Sequence, residues 1–126
     1  MSKQVVLIGT YGIPEGKFEE FRTANREMGE FVKANEPRLI SFKTYVSKDG
    51  TESTTIMVHS DSESLESHME LASSRIRKGI QMVETRRVEL YGSPSDRLLE
   101  QVRGMSAISG SWPVIVKTYL QGFPND

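Results

Sequence analysis

The spacing of apolar residues divides the start of the chain into a strand, a loop and a helix. Residues 5–8 are all aliphatic, which is typical of a strand with both faces covered, and the glycines and proline within 10–16 predict a loop. From Phe18 to Asn35 apolar side chains recur every three or four positions, with charged residues between them. This period predicts an amphipathic helix, and Pro37 ends it because proline disfavours helical geometry in the preceding residue.

The next segment predicts a β-hairpin. Residues 39–46 alternate between two sets of side chains, and a second β-rich run covers residues 54–59. Asp49 and Gly50 lie between the two runs, and both residue types tolerate the positive φ that tight turns require. We therefore expect two antiparallel strands joined through Asp49–Gly50.

A second helix is expected after the hairpin. Apolar residues at helical spacing extend from 65 to 83, with Asp61 or Ser62 as the N-cap and Gly79 as a point where the helix is interrupted. A short alternating strand at 88–91 follows.

The end of the chain predicts one more helix and one more strand. Ser93 is the expected N-cap of this third helix, and Gly104 is its expected end. The glycine- and serine-rich residues 104–112 predict a mobile loop, and the apolar run 114–120 predicts a last strand.

The predicted order is β-α-β-β-α-β followed by a helix and a strand. The first six elements form the ferredoxin-like α+β arrangement, an antiparallel sheet with both helices on one face. The strands carry apolar residues on both faces, so we expect the other face to be covered by a second copy of the chain in a dimeric α+β barrel. We interpret residues 1–126 as a single domain, with a core at 4–91 and a C-terminal extension at 92–126.

Composition narrows the classes of partner. The chain has 126 residues, a formal net charge of -1 and no cysteine, which excludes disulfides, thiolate nucleophiles and cysteine-based metal sites. Near-neutral charge disfavours nucleic acid as a main partner. There is no apolar run of the roughly 20 residues that a membrane span needs, nor a signal-peptide pattern. We therefore expect a cytoplasmic protein with no membrane partner.

Two passages resemble the antibiotic biosynthesis monooxygenase-like family of dimeric α+β barrels. They are the loop and helix start Pro14–Phe21 and the passage His59–Met69, which follows the hairpin. The resemblance covers residues 4–91, and the tail from Tyr91 to Pro124 is similar to an extension of some uncharacterised members. It implies a homodimer and a small hydrophobic aromatic ligand. The activities that it implies are cofactor-independent oxygenation of quinol-type substrates, haem degradation, or none.

The chain departs from the family pattern at two positions that bear on haem degradation. Oxygenases and haem degraders of this family often carry a tryptophan at the end of the third strand, whereas this chain has His59 there. The asparagine of the first strand that is associated with haem degradation is replaced by aliphatic residues. These departures disfavour haem degradation, and we expect no cofactor.

Candidate site residues surround the second helix. His68 borders its apolar stripe, so it is the candidate catalytic base, or else a partly buried histidine bonded to a backbone group. His59, Tyr45, Tyr11 and Arg75 are the candidate substrate-binding residues, although Arg75 also fits a surface residue lying over apolar neighbours. A metal site on the two histidines lacks carboxylates at a fixed spacing, so we expect no metal.

Two functions remain open from the sequence. The first is a cofactor-independent monooxygenase acting on a small aromatic or quinol-type substrate, and it requires an enclosed cavity beside His68. The alternative is a non-catalytic dimeric module for small-molecule binding or assembly, for which we expect a core filled by side chains around His68. Trp112 fits a lid over the cavity or, as we prefer, a contact with the other subunit.

Overall fold

The computed structural model describes residues 3–123, so the ends of the predicted domain at 1–2 and 124–126, including Pro124, lie outside the described residues. Strands and helices follow in the order β1 (Val5–Gly12), α1 (Phe18–Asn35), β2 (Leu39–Val46), β3 (Glu52–His59), α2 (Ser62–Leu71), α3 (Ser73–Met82), β4 (Glu84–Tyr91), α4 (Asp96–Ile108) and β5 (Val114–Lys117). No helix in the described part of the chain is both long enough and apolar enough to cross a membrane.

The strands form one five-stranded sheet in the order β2-β3-β1-β4-β5. The first four strands pair antiparallel, and only β5 runs parallel to its neighbour, β4. On the central strand β1, Leu7 lies opposite Met57 of β3 and Leu90 of β4. The α+β, ferredoxin-like prediction is confirmed, with α4 and β5 added after it.

All four helices contribute to one side of this sheet. The buried cluster there joins alternate strand residues to residues of α2, α4 and the chain after α4: Val5, Leu7, Met57, Leu65, Val88, Leu90, Leu98, Val102 and Trp112. On β1 and β3 the intervening apolar residues Val6, Ile8, Ile56 and Val58 point to the opposite face and stay partly exposed. The sheet therefore has one covered face and one that the described chain leaves partly open.

The expected single helix after the hairpin is wrong. The chain forms α2 and α3, divided at Ala72, whose backbone (φ -96°, ψ 10°) leaves helical geometry. Ala72 itself is fully buried, whereas α3 contains no buried residue. Gly79, the expected interruption, lies inside α3. Tertiary packing, not a local helix breaker, sets this division, because α2 packs on α4 while α3 packs on α1.

The expected bounds of the last helix are also wrong. Ser95, not Ser93, caps α4, and its Oγ accepts the Leu98 backbone N–H at 3.1 Å. The same hydroxyl donates to a carboxylate oxygen of Glu66 in α2 at 2.7 Å. This contact between two helices could not be predicted from the sequence. The helix continues through Gly104 to Ile108, so most of the predicted loop 104–112 is helical.

The last strand is shorter than expected. The predicted strand 114–120 is reduced to Val114–Lys117. Beyond it Leu120 and Phe123 are exposed, at 89% and 95% of their surface. Only the residues that pair with Val88–Tyr91 of β4 therefore form β5.

Candidate functional site

A cavity of about 270 Å³ lies between the covered face of the sheet and the helices. This volume is close to the lower end of the roughly 300–1,000 Å³ typical of small-molecule sites. Its walls are mainly apolar: Leu7, Phe21, Met28, Phe42, Met57, Met69, Ile76, Ile80, Val83, Val88, Val102, Met105 and Trp112. A few polar side chains also reach it, among them Tyr11, Asn25, Thr55, His68, Arg75 and Thr85.

His68 lines the cavity and pairs with a buried carboxylate. It lies on the inner face of α2, with 2% of its surface exposed. Its Nδ1 atom is 2.9 Å from both Oε1 and Oε2 of Glu36. Glu36 directly follows α1, where its backbone N–H donates to the Val32 carbonyl, and only 7% of its surface is exposed. The end of one helix thus places a carboxylate against a histidine of another.

This contact fixes where the histidine carries its proton. An imidazole is more basic than a carboxylate, so the shared proton belongs to Nδ1 of His68 and is donated to Glu36. Burial of the carboxylate reinforces the arrangement, because a buried charge needs a hydrogen-bonded partner. Nε2 is then the ring nitrogen left for a molecule in the cavity. A histidine oriented in this way by a carboxylate is suited to act as a general base.

His59 lies behind His68 and does not line the cavity. The two rings are 5.8 Å apart between centroids, and His59 is fully buried. Its Nδ1 is hydrogen-bonded to the Ser64 hydroxyl at 2.8 Å, and its buried Nε2 has no partner in the described chain. Burial, reinforced by His68, lowers the pKa of His59 to about 4. This histidine is neutral at pH 7.

Tyr11 reaches the cavity from the end of β1 and folds back over Gly9. A Cβ atom built on Gly9 would lie 2.6 Å from Cζ of Tyr11 and still closer to its hydroxyl oxygen. Residues two apart on a strand share one face, so only glycine at position 9 leaves room for this ring. Burial raises the pKa of Tyr11 to about 12, so the phenol stays protonated at neutral pH.

The β2–β3 side of the cavity carries a short chain of polar side chains. Asn25 of α1 donates to the Thr44 hydroxyl at 2.9 Å, and Thr44 is 2.9 Å from the hydroxyl of Thr55. Asn25 and Thr55 line the cavity. These hydrogen bonds hold polar atoms at an otherwise apolar wall.

The two remaining predicted substrate-binding residues have different positions. Arg75 of α3 lines the cavity and lies over the Phe31 ring, with its guanidinium carbon 4.6 Å from the ring centroid. This cation–π contact agrees with the expectation that Arg75 covers apolar neighbours. Tyr45 is not in the cavity lining; it is 56% exposed and alternates with Thr44, which faces the helices.

Trp112 is a wall of the cavity within its own chain, so the preferred role as an exposed contact with another subunit is wrong. Only 8% of its surface is exposed. Its Nε1 donates to the Ser109 hydroxyl at 2.9 Å, and its carbonyl accepts from the Ser106 hydroxyl at 2.6 Å. The end of α4 thus fixes the indole at the covered face.

No protein-family model and no curated protein matches the sequence. Solved structures do match it. MupZ from Pseudomonas fluorescens covers 98% of this chain and 96% of its own, with a TM-score of 0.75 and 18% identity. SnoaB from Streptomyces nogalater, described as a cofactor-independent oxygenase, covers 75% of this chain and 96% of its own, with a TM-score of 0.64 and 12% identity.

A third structure carries the name of the family that the sequence resembles. It is a protein from Bacteroides thetaiotaomicron named for the antibiotic biosynthesis monooxygenases, and it covers 70% of this chain and 85% of its own, with a TM-score of 0.57 and 19% identity. The chain has the antibiotic biosynthesis monooxygenase-like fold. The resemblance seen in the sequence is confirmed at the level of the fold.

Within this monooxygenase-like fold, sequence reasoning missed Glu36, Thr85 and the inward position of Trp112. The sequence does contain an indication for Glu36, because this acidic residue lies between the end of the first helix and Pro37, where a side chain can reach the edge of the core. Its partner was not predictable, since His68 is 32 positions away in the chain. Among residues 3–123 there is no group of three or more potential metal ligands placed to hold a metal ion.

Proposed function

We propose that the protein is a cofactor-independent monooxygenase acting on a small aromatic or quinol-type substrate. The observation that carries the proposal is the pairing of His68 with buried Glu36 at the wall of an apolar cavity. The likeness in fold to SnoaB, described as a cofactor-independent oxygenase, gives further support.

The proposed first step is removal of a hydroxyl proton. Nε2 of His68 takes the proton from a quinol, and Glu36 stabilises the resulting imidazolium through Nδ1. Negative charge on the quinolate spreads to the ring carbon beside the C–O group, which makes that carbon electron-rich. The apolar walls limit access of water, so the anion is not stabilised by hydration.

The second step uses molecular oxygen. One electron passes from the quinolate to O₂, and the two radicals combine to form a C–OO⁻ group, which takes the proton held on Nε2 of His68 and becomes the hydroperoxide. Loss of water from the hydroperoxide leaves a new C=O group, which tautomerises to a hydroxyquinone. For 1,4-dihydroxynaphthalene the balance is C₁₀H₈O₂ + O₂ → C₁₀H₆O₃ + H₂O. Four electrons pass to O₂, of which one oxygen atom enters the product and the other leaves as water.

An assay under ¹⁸O₂ with 1,4-dihydroxynaphthalene tests this function. We expect 2-hydroxy-1,4-naphthoquinone carrying one labelled oxygen, whereas uncatalysed autoxidation gives unlabelled 1,4-naphthoquinone and hydrogen peroxide. His68→Asn keeps an N–H group near Glu36 but has no basic nitrogen, so labelled product should form at least about 100-fold more slowly. His59→Asn is the matched control and should retain the rate.

Glu36 is proposed as a positioning residue for His68. Glu36→Gln should lower kcat by about 10–100-fold, the range typical of groups that orient a functional histidine. Because the amide stabilises the imidazolium less well, the acidic limb of the pH–rate profile, where protonation of His68 removes the base, should also move to lower pH. A purely structural role would change stability and leave the pH profile in place.

The alternative, a non-catalytic small-molecule-binding module, is distinguished by the same assay. The cavity beside His68 favours a ligand over a side-chain-filled core, and it serves a binding protein as well as an enzyme. Saturable binding of the quinol without labelled product would support the binding module and contradict the monooxygenase.

We also propose a homodimer formed through the open face of the sheet. Val6, Ile8, Ile56 and Val58 lie there on the two central strands and are partly exposed. A sheet face with this apolar content is stabilised by packing on a second copy. Light scattering of the purified chain should give twice the monomer mass, and Ile56→Lys should reduce it to the monomer mass.

A further inference from the structure

The exposed part of the cavity lining is confined to two helices. Four of the lining residues are exposed, and all of them lie on α1 or α3: Glu27, Ser74, Arg75 and Lys78. The lining residues contributed by the sheet, by α2 and by α4 are buried or half-buried. Residues at an entrance contact both the cavity and solvent, so these four place the entrance between α1 and α3.

A cation–π contact joins the two helices beside this entrance. The guanidinium carbon of Arg75 in α3 lies 4.6 Å from the centroid of the Phe31 ring in α1. Glu27 lies about one helical turn before Phe31, and Gly79 lies about one turn after Arg75. Both Glu27 and Gly79 line the cavity. The contact therefore holds α1 and α3 together at one point, and the adjacent turn of each helix borders the cavity.

Gly79 lies where the inner face of α3 meets the entrance. At about 100° per residue, it is about 60° from Ile76 around the helix in one direction and about 40° from Arg75 in the other. Ile76 is half-buried and Arg75 is exposed, and both line the cavity. A Cβ atom built on Gly79 would have no atom within 4 Å apart from its chain neighbours and the backbone of its own helix. The glycine therefore leaves a gap in the cavity wall at the entrance.

Neither of the usual structural reasons for a glycine applies at position 79. Its φ is not positive, and no neighbouring group would clash with a side chain there, in contrast to Gly9. A glycine inside a helix costs about 1 kcal/mol relative to alanine. Gly104 of α4 shares these properties but does not line the cavity. What distinguishes Gly79 is thus the space that it leaves beside the cavity, and Gly104 is its matched control.

We infer that Gly79 sets the width of the entrance and so selects, by cross-section, the ligands that reach His68. The inference rests on the proposed function only for the role of the cavity as a binding site, and not on the chemistry at His68. A larger side chain at position 79 would project into the gap. An obstacle in an entrance raises the barrier for entry and exit alike, so it slows association and dissociation while Kd changes little.

Stopped-flow binding of two phenols tests the inference. Trp112 is the only tryptophan in the sequence and lines the cavity, so its fluorescence reports the arrival of a ligand. Phenol is flat, whereas the butyl group of 4-tert-butylphenol has a wider cross-section. Gly79→Leu should lower kon for 4-tert-butylphenol by about 10-fold or more and for phenol by less than about 3-fold. Kd of each phenol should stay within about 3-fold of wild type.

Two further variants control for the added side chain. Gly104→Leu places the same side chain in a helix outside the cavity lining and should leave kon of both phenols unchanged. Gly79→Ala is the smaller substitution and should lower kon for 4-tert-butylphenol by about 2–3-fold. Leucine and alanine both form helices better than glycine, so thermal denaturation should show no loss of stability in any of the three variants.

Three results would overturn the inference. They are an unchanged kon in Gly79→Leu, an equal fall in kon for the two phenols, and a weaker Kd with kon unchanged, which would place residue 79 at the bound ligand and not at the entrance. Failure of both phenols to bind wild type would also contradict an entrance to this cavity.

The outcome is separable from that of the proposed function, because the binding rates do not depend on oxygen. Labelled hydroxyquinone from wild type, with an unchanged kon in Gly79→Leu, would support the monooxygenase and overturn the role of Gly79. A size-dependent fall in kon without labelled product would support the role of Gly79 and contradict the monooxygenase.

Discussion

The two histidines belong to neighbouring regions that are built in opposite ways. Beneath α2 and α4 lies a closed core that contains Leu65, Leu90 and Leu98, and His59 at the end of β3 is, like them, without exposed surface. Across α2 lies the cavity, where His68 pairs with Glu36. The rings are 5.8 Å apart, yet one bonds to a hydroxyl and the other to a carboxylate.

This difference shows that the partner, more than burial, decides what a buried histidine can do. Both side chains are at most 2% exposed. Without a carboxylate partner, buried His59 is neutral and contributes to the packing of the core. With a carboxylate on Nδ1, His68 can take a second proton on Nε2 and keep a compensating negative charge nearby.

The largest expected effect comes from breaking the pair in the cavity. His68→Leu removes the hydrogen-bond partner of buried Glu36 and should lower the free energy of unfolding by about 3–5 kcal/mol at pH 7. Urea denaturation monitored by circular dichroism measures this change.

The matched variant in the closed core is His59→Leu. It removes one neutral hydrogen bond to Ser64 together with a buried nitrogen that has no partner, so its cost should stay within about 1 kcal/mol. Equal losses in the two variants would contradict the distinction between the regions.

The second prediction concerns acid stability. The ordinary pKa of His59 is 6.5 and burial lowers it to about 4 in the folded chain. Between these pH values the unfolded chain binds a proton at residue 59 that the folded chain does not, so stability falls as pH decreases. The expected loss from pH 6.5 to pH 4 is about 2–3 kcal/mol.

Comparison with His59→Leu isolates this contribution from other acid-sensitive groups. The interactions with His68 and Arg38 lower the pKa of His59 as burial does, and the interaction with Asp61 opposes them. Wild type should lose about 2–3 kcal/mol more than His59→Leu over this range, so the two unfolding free energies should cross and the variant should be the more stable protein near pH 4. Parallel curves would show that His59 is not the titrating group.

Alternation and helical periodicity were sufficient to predict the order of strands β1–β4 and helix α1. The hairpin strands 39–46 and 54–59 and helix 18–35 agree with the structure to within about two residues. The features that the sequence did not predict depend on contacts between residues that are distant in the chain. Ser95 caps α4 while bonded to Glu66, 29 positions away, and the Ala72 break reflects packing of α2 and α3 on different helices.

The site was less predictable than the fold. Helical spacing predicted that His68 would lie beside the buried stripe of α2, but the identity of its partner depends on where two helices end in space. Likewise, Gly9 and Tyr11 share one strand face by simple alternation, and only the fold shows that the ring lies over the glycine.

The third prediction compares Gly9 of the cavity with Gly104, an exposed glycine of α4. Gly9→Ala forces the Tyr11 ring out of its place in the cavity and should cost about 1–3 kcal/mol. Gly104→Ala lies within α4 with no atom near the added methyl group, so it should stabilise the protein by up to about 1 kcal/mol. Thermal denaturation of both variants checks the opposite signs.

The smallest effect is expected at the helix cap that joins α4 to α2. Ser95→Ala removes the acceptor for the Leu98 N–H and the hydroxyl bonded to Glu66, which should cost about 1 kcal/mol. Ser93→Ala, at the position that sequence favoured, should change the free energy of unfolding by less than about 0.5 kcal/mol. A larger loss at Ser93 would contradict the observed start of α4.

The most direct test of the central claim is nitrogen NMR of the imidazole rings, since the sequence contains only two histidines. At neutral pH we expect His68 to carry a proton on Nδ1, and addition of 2,6-dihydroxynaphthalene to shift its Nε2 resonance while both nitrogens of His59 stay unchanged. A His68 protonated only on Nε2, or a ligand that leaves the His68 resonances in place, would contradict the assignment of His68 as the base of this cavity.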